Sequence, residues 1–379
     1  MKLGIIIIRL LSIIHLFLLF AFVMHWEALV SFTSQLVAIL GIVILFYSLL
    51  IDTTKKIDYI IILMYIFMVC CLSYSYELLM RVICFALMIS TFDIGLMVRL
   101  DKKTINIITI SYMIQAALLI IISFTPLAYS VDFVSDNGYY LALGFSNPNT
   151  TGVVLFSIIF TIVALLDYYD YPISIKHFRF KQLLIFCVLL LLVRLLFLTD
   201  SRTSLLICLI SLLLFLFYKY RSNNKPFSRA MIFLIVSIPI IYYFIYVAYS
   251  KQVVFDEIEF MGKPLFSGRE VIFEEIQAAW TNHWFGNADR FKFGNAHNSA
   301  LSIVVSIGIV GFVMVLYYYV KRLFQYNERT CKSNMALLAI LSFFIHGCNE
   351  AVMFTGGSIF YIYALNLCLL VRAKQNKTN

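Results

Sequence analysis

The run LGIIIIRLLSIIHLFLLFAFVM, residues 3–24, identifies the solvent in which this chain folds. It is as long as the roughly 20 apolar residues that one helix needs to cross a bilayer core. The following His25-Trp26-Glu27 is a poor small-residue cleavage site, so we expect a retained first helix and not a signal peptide. Of the 379 residues, 62% are hydrophobic and 13% are charged. Soluble chains are about half apolar and roughly a quarter charged, so the composition predicts a protein embedded in lipid.

Apolar runs of this length recur along the whole chain and predict an all-α, polytopic integral membrane protein with twelve transmembrane helices. The predicted spans are 4–24, 29–51, 58–73, 77–98, 104–124, 147–166, 182–199, 203–218, 230–250, 298–320, 334–349 and 352–371. We interpret residues 1–379 as a single membrane domain. One substantial polar insertion, 251–297, is predicted to form a long extracytoplasmic loop between spans 9 and 10.

The basic residues predict the orientation of these spans. With a cytoplasmic N-terminus, most of the 29 Lys and Arg residues fall on the cytoplasmic side, as the positive-inside rule requires. Their clusters lie at 55–56, 99–103, 176–181, 219–229, 321–332 and 372–377. An even number of spans places both termini in the cytoplasm. The net charge of +9 is therefore explained by helix orientation, and no nucleic-acid partner is expected.

The long loop contains an amphipathic stretch from Val271 to Trp280. Ile272, Ile276 and Trp280 repeat at intervals of four, and Phe273 adds to the same face. We expect a helix on the outer surface, capped by Ser267 with Glu270 three residues on. The other outer loop, 125–146, has no Lys or Arg.

Ionisable residues inside spans are functional hypotheses by default, because each costs free energy in lipid. Arg9 can reach the cytoplasmic surface, and Asp93 is expected to be solvated near the end of its span. Arg194, within LLLLVRLLF, lies too deep for either surface. With Arg202 it would line a path from mid-membrane to the outer headgroups, where guanidinium groups bind phosphate oxygens. The alternative is that Arg202 anchors the hairpin and Arg194 pairs with an acid on a neighbouring helix.

His297 lies at the edge of span 10 and is followed by Asn298. A neutral imidazole is suited to removing a proton from a hydroxyl, although a histidine at a span edge also serves as an interfacial hydrogen bonder. His346 and Glu350, four residues apart, are compatible with a structural pair or with catalysis. The sequence shows no phosphate loop, zinc motif or sugar-nucleotide motif, so we expect neither metal nor cofactor.

Four motifs in order resemble a known superfamily: GFSNPN at 144–149, TDSRT at 199–203, SGR at 267–269, and His297-Asn298-x-x-Leu301 followed by Gly308 and Gly311. Together with Gly286 they resemble the O-antigen ligases and Wzy-type polysaccharide polymerases over about residues 140 to 371. This resemblance implies a GT-C-type glycosyltransferase in the bacterial cytoplasmic membrane, whose long outer loop covers the site.

The resemblance further implies how such a site works. The donor and the acceptor are undecaprenyl-diphosphate-linked glycans, Arg202 and Arg269 hold the diphosphate with Arg194, and His297 is the general base. Asn298, Asn149 and Glu350 are expected to support them. Partners would be the lipid bilayer, a flippase and a chain-length regulator.

The predicted function is therefore polymerisation of O-antigen or capsular repeat units on the outer face. One alternative is a ligase-type transferase, since ligases share these motifs. Another, from a different class, is a polysaccharide flippase or other transporter, although transporters usually show two related halves and broken helices at mid-membrane.

Overall fold

A computed structural model describes most of the chain. The described residues are 2–51, 76–135, 138–145, 147–169, 180–220, 227–249, 269–286, 297–328, 334–350 and 358–378. They contain twelve α-helices and one short hairpin. The helices are α1 (Lys2–Val23), α2 (Glu27–Ile51), α3 (Tyr76–Met97), α4 (Lys102–Ile122), α5 (Pro148–Tyr168), α6 (Phe180–Leu198), α7 (Arg202–Tyr220), α8 (Arg229–Tyr249), α9 (Arg269–Ala279), α10 (Ser299–Glu328), α11 (Met335–His346) and α12 (Ser358–Thr378).

The prediction of a multi-pass helical membrane protein is confirmed. Six helices, α1, α2, α4, α5, α8 and α10, are long and apolar enough to cross a bilayer, and α3, α6, α7 and α11 contain shorter apolar stretches. The predicted span 58–73 lies outside the described residues, and each of the other eleven coincides with one helix. The total of twelve spans remains a prediction.

One connection departs from the all-helical expectation. Within the predicted loop 125–146, a 3₁₀ turn (Pro126–Ala128) leads into an antiparallel hairpin of β1 (Tyr129–Ser135) and β2 (Gly138–Leu141). Tyr129 pairs with Leu141 at its open end. The all-α prediction was therefore incomplete, because a 2-stranded hairpin is too short to give a clear alternating pattern.

The core of the bundle is built around α5 and α12. Residues 151–165 of α5 and 359–371 of α12 are buried with few exceptions, as expected of helices that are apolar on all sides. By contrast, α1, α2 and α6 each have an exposed apolar face. In a bilayer such faces contact lipid, which explains why large side chains such as Phe46 and Phe186 are left uncovered.

The amphipathic helix predicted in the long loop is present as α9. Phe273 and Ile276 are buried against Tyr243 and Tyr246 of α8, with the Phe273 ring 5.3 and 5.1 Å from the two tyrosine rings. Ile272 and Trp280 pack around the same cluster. The proposed cap at Ser267 lies outside the described residues.

Helix α10 is broken at Gly308, whose φ of 73° and ψ of 177° are not helical. Backbone carbonyls from the segment after α9 fill the break, since Ile309 N–H donates to His283 O at 2.9 Å and Val310 N–H to Trp284 O at 3.3 Å. A Cβ on Gly308 would lie 2.0 Å from Trp284 O. Non-helical backbone is tolerated inside a membrane where protein satisfies it, as happens here.

Asp93 is not solvated as the sequence suggested. Its carboxylate lies 3.0 Å from the Arg322 guanidinium and accepts a hydrogen bond of 2.5 Å from the Tyr318 hydroxyl, with both charged side chains buried. The Arg322 guanidinium also lies 5.1 Å from the centre of the Tyr318 ring. The expectation was wrong because α10 extends to Glu328 and places Arg322 beside α3.

Candidate functional site

Three helices, α5, α7 and α10, begin at one end of the bundle, around the C-terminal end of α11. We call this the His297 end, and the opposite end, where α10 finishes, the Arg322 end. Gly152 of α5 is so close to α7 that an added Cβ would lie 2.5 Å from Ser201 Oγ. Ser299 N–H at the start of α10 donates to Gly347 O at 2.8 Å. Three helix N-termini, each with a partial positive charge, are thereby brought together.

His297 lies at this junction in a strained backbone conformation. Its φ is 45°, and Asp200, just before α7, has a φ of 55°. Such left-handed values are uncommon for residues other than glycine, although Asp and His tolerate them better than most. Each residue lies one or two positions before its helix, so the strain creates a sharp turn into α10 and α7. Residues held in this way are concentrated at functional sites.

The His297 side chain faces Glu350. Nδ1 of His297 lies 3.6 Å from Oε2 of Glu350, and the side chains are 32% and 19% exposed. At that distance the contact is not a hydrogen bond, and Nδ1 has no hydrogen-bond partner among the described residues. A carboxylate in this position can favour the tautomer with a proton on Nδ1. Nε2 is then available as a base.

Asn298, the next residue, holds the His297 turn in place through hydrogen bonds to the backbone. Its Nδ2 donates to Pro239 O of α8 at 2.9 Å and to Cys348 O at 3.1 Å, and its Oδ1 accepts from Leu301 N–H at 2.9 Å. Asn298 is therefore the N-cap of α10 and also joins three chain segments. Its side chain is fully buried, so it positions His297 and is not itself open to a substrate.

The structure places the His346 side chain against α7. Nε2 of His346 lies 2.8 Å from Ser204 Oγ, which is in turn 2.9 Å from Ser201 Oγ. Helix α11 ends at His346, and in the turn that follows Glu350 N–H donates to His346 O at 3.2 Å.

Polar side chains missed by the sequence analysis complete the junction. Asn349 Nδ2 donates to Thr203 Oγ1 at 2.9 Å, and Ser299 Oγ donates to Glu350 O at 2.8 Å. With Ser201, Ser204 and His346 they connect α7 to the segment that carries Glu350. Serine and threonine are common in membrane helices, so their type gave no signal. Only their clustering at one end of α7 indicated a shared role.

The predicted arginines occupy different environments. Arg202 is the first residue of α7, and its half-buried side chain lies within the junction. The side chain of Arg269, at the start of α9, lies outside the described residues. Arg194 is exposed on α6, beside the uncovered side chains Leu190 and Phe197. Its role in diphosphate binding remains a prediction.

Asn149 lies in the first turn of α5 and is half-buried. Its backbone N–H donates to Oδ1 of Asn147, the N-cap of α5, at 2.8 Å. Because α5 packs on α7 at Gly152, Asn149 is on the same end of the bundle as His297. The structure thus brings His297, Asn298, Glu350 and Arg202 to one junction, with Asn149 on a neighbouring helix.

The chain matches no protein-family model, no curated protein and no solved structure. What the sequence and the fold establish together is a multi-pass helical membrane protein. Its most distinctive polar feature, among the described residues, is the junction at the His297 end.

Proposed function

We propose that this protein is a glycosyltransferase that joins undecaprenyl-diphosphate-linked oligosaccharide repeat units on the outer face of the bacterial cytoplasmic membrane. The observation that carries the proposal is the half-exposed His297–Glu350 pair, held at a strained turn beside the N-terminal end of α7. The resemblance in sequence motifs supplies the substrate class. The geometry supports a base and an anion-binding region at the same end of the bundle.

In the proposed reaction His297 accepts the proton of an acceptor sugar hydroxyl. The hydroxyl oxygen forms a new bond to the anomeric carbon of the donor glycan as the bond from that carbon to the diphosphate breaks. The products are a lengthened lipid-linked glycan, free undecaprenyl diphosphate and one proton. Glu350 would stabilise the imidazolium that forms, as an oriented carboxylate does in other base-catalysed transfers.

The charge that develops on the departing diphosphate needs stabilising groups. Arg202 supplies a guanidinium at the start of α7, and Arg269 supplies a second through the resemblance. The N-terminal ends of α5 and α7 add partial positive charge from their aligned peptide dipoles. These features favour an anionic substrate at the His297 end.

A transporter is the second candidate, and one observation favours it. Helix α10 is broken at Gly308, and discontinuous helices are typical of transporter binding sites. Here, however, the freed N–H groups bond to carbonyls of residues 283 and 284, where a transporter would direct them to a substrate cavity. This favours a transferase with a structural break.

The test is His297→Ala in cells that make the polysaccharide. A general base contributes roughly a hundredfold to ten-thousandfold in rate, so polymer should disappear from gels while single repeat units accumulate on lipid at the outer face. His25→Ala is the matched control, because His25 is an exposed histidine that also has a left-handed φ, of 51°. Accumulation of lipid-linked units on the inner face would instead indicate a transporter, and unchanged polymer would rule out His297 as the base.

A second test addresses the diphosphate. If Arg202 binds it through two parallel N–H groups, Arg202→Lys should reduce polymer nearly as much as Arg202→Ala. A tolerated lysine would reduce Arg202 to a surface anchor. Polymer length on gels and protein level on immunoblots separate loss of activity from loss of protein.

A further inference from the structure

A groove at the Arg322 end has no role in the proposed transferase reaction. It lies between α4, α5 and α6 and encloses about 330 Å³. Its lining includes Asn106, Thr109 and Met113 of α4, Leu166 and Tyr169 at the end of α5, and Ile185 of α6. The volume is within the range of small-molecule sites, roughly 300–1,000 Å³.

The groove is polar at its mouth and apolar inside. At the mouth the Tyr169 hydroxyl donates to Asn106 Oδ1 at 2.9 Å and lies 3.4 Å from Thr109 Oγ1. Deeper inside, Met113 and Ile162 line the groove. Asn106 and Met113 are seven residues apart, which is about 10 Å along a helix. That depth is about two-thirds of one leaflet's hydrocarbon thickness.

Two exposed lysines flank the mouth. Lys102 and Lys103 precede Asn106 by four and three residues, so they lie on the same face of α4. Neither makes an ion pair with any described residue. Their charges are therefore available to a ligand at headgroup depth.

The nearby carboxylates are already neutralised by other basic groups. The Asp101 carboxylate pairs with the Arg9 guanidinium at 2.6 Å. The pKa of the Asp101 carboxyl lies below its usual value, chiefly because the Thr104 hydroxyl donates a hydrogen bond to it. Asp167 lies 3.6 Å from Lys374 Nζ and also accepts from Met335 N–H. Among the described residues, Lys102 and Lys103 are therefore the charges at this mouth that no carboxylate pairs with.

We propose that this groove binds an anionic glycerophospholipid of the cytoplasmic leaflet, with its phosphate at Lys102, Lys103 and Asn106 and one acyl chain along Met113 and Ile162. The predicted orientation of the spans places this end at the cytoplasmic surface, where anionic headgroups attract basic residues. The proposal needs no glycosyltransferase activity. It is therefore independent of the function assigned to the His297 end.

The experiment is native mass spectrometry of the purified full chain with phosphatidylglycerol or phosphatidylcholine added. Phosphatidylglycerol should be retained more strongly by the unaltered protein. Lys102→Gln with Lys103→Gln should weaken its retention roughly 25-fold, since each lysine near a headgroup is worth about a factor of five. Met113→Trp, which fills the groove, should weaken retention of both lipids.

Lys321→Gln is the matched control, because it removes one charge at the same end of the bundle from α10 and leaves the groove intact. Equal retention of the two lipids by the unaltered protein would overturn the proposal. So would loss of retention in the lysine variant without any effect of Met113→Trp, because the lysines would then act as a general surface charge. If Met113→Trp does not fold, Ile162→Phe tests the same space.

Discussion

Helix α10 has a pair of ionisable side chains at each end, and the two pairs differ in distance and in exposure. At the Arg322 end the guanidinium and the Asp93 carboxylate are 3.0 Å apart, and the side chains are 6% and 4% exposed. At the His297 end the imidazole and the Glu350 carboxylate are 3.6 Å apart, and the side chains are 32% and 19% exposed. The first pair is closed and the second is open to a ligand.

This difference separates structural stabilisation from chemistry. A closed pair already has its partners, including the Tyr318 hydroxyl, and has no capacity for a substrate. An open pair with an unfilled contact can tighten when a substrate arrives, as catalytic groups commonly do. Alteration of the Arg322 end should therefore affect stability, whereas alteration of the His297 end should affect activity.

The largest effect on stability is expected for Arg322→Gln. It leaves the Asp93 carboxylate buried without its cation, which typically costs about 3–5 kcal/mol. The thermal midpoint of the purified protein in detergent should fall sharply, and Asp93→Asn in the same chain should restore part of it. Lys321→Gln, next to it on α10, is the control and should leave the midpoint nearly unchanged. A midpoint unaffected by Arg322→Gln would show that the pair does not stabilise the fold.

Gly308→Ala alters the helix break between the two ends. The new Cβ would overlap Trp284 O and would be held at a positive φ, so we expect a loss of about 2 kcal/mol or more. Gly4→Ala, in α1, is the control, since its nearest neighbour is the Tyr47 ring at 3.1 Å. If the break matters only for packing, activity per folded molecule stays normal. Loss of activity in folded protein would show that the break also positions His297.

Asn298→Ala should affect both stability and activity. It removes an N-cap and two buried hydrogen bonds to backbone carbonyls, which together cost roughly 2–3 kcal/mol. Because Asn298 precedes α10 and follows His297, polymer yield should fall along with the thermal midpoint. Asn298→Asp keeps the cap but loses the donation to Pro239 and Cys348, so it separates the two contributions. Normal polymer from a destabilised Asn298→Ala protein would mean that Asn298 does not position the histidine.

The smallest effect is expected for Glu350→Gln. The pair with His297 is partly exposed and long, so the thermal midpoint should barely move. Polymerisation should nevertheless slow by about tenfold to a hundredfold, because the imidazolium loses its carboxylate. Asn349→Ala is a neighbouring control that removes the bond to Thr203 and leaves the Glu350 carboxylate in place. A large fall in stability with normal activity would make Glu350 a structural residue like Asp93.

Much of the fold could be predicted from the sequence because lipid imposes simple rules. Span length follows from bilayer thickness, so each predicted span in the described residues coincides with a helix. The face of α9 followed from the spacing of Ile272, Ile276 and Trp280. Polar groups at span edges cost free energy unless they are paired or functional. The sequence could therefore single out His297, Asn298 and Glu350.

Pairings between distant residues were not predictable in this way. Arg322 and Asp93 are 229 residues apart, so neither local spacing nor hydropathy could join them. His346 and Ser204 are 142 residues apart, so no local spacing indicated that their side chains meet. The break at Gly308 depends on carbonyls of residues 283 and 284, which belong to another segment.

The sequence by itself determined that the chain is a multi-pass helical membrane protein, because apolar runs of bilayer length have no other stable arrangement. It also determined which polar residues need an explanation. Only the tertiary structure decided which of them meet, and hence that His297 faces Glu350 while Asp93 faces Arg322. The physical reason is that burial and pairing of charges depend on distances between helices, and these are set by side-chain packing across the whole bundle.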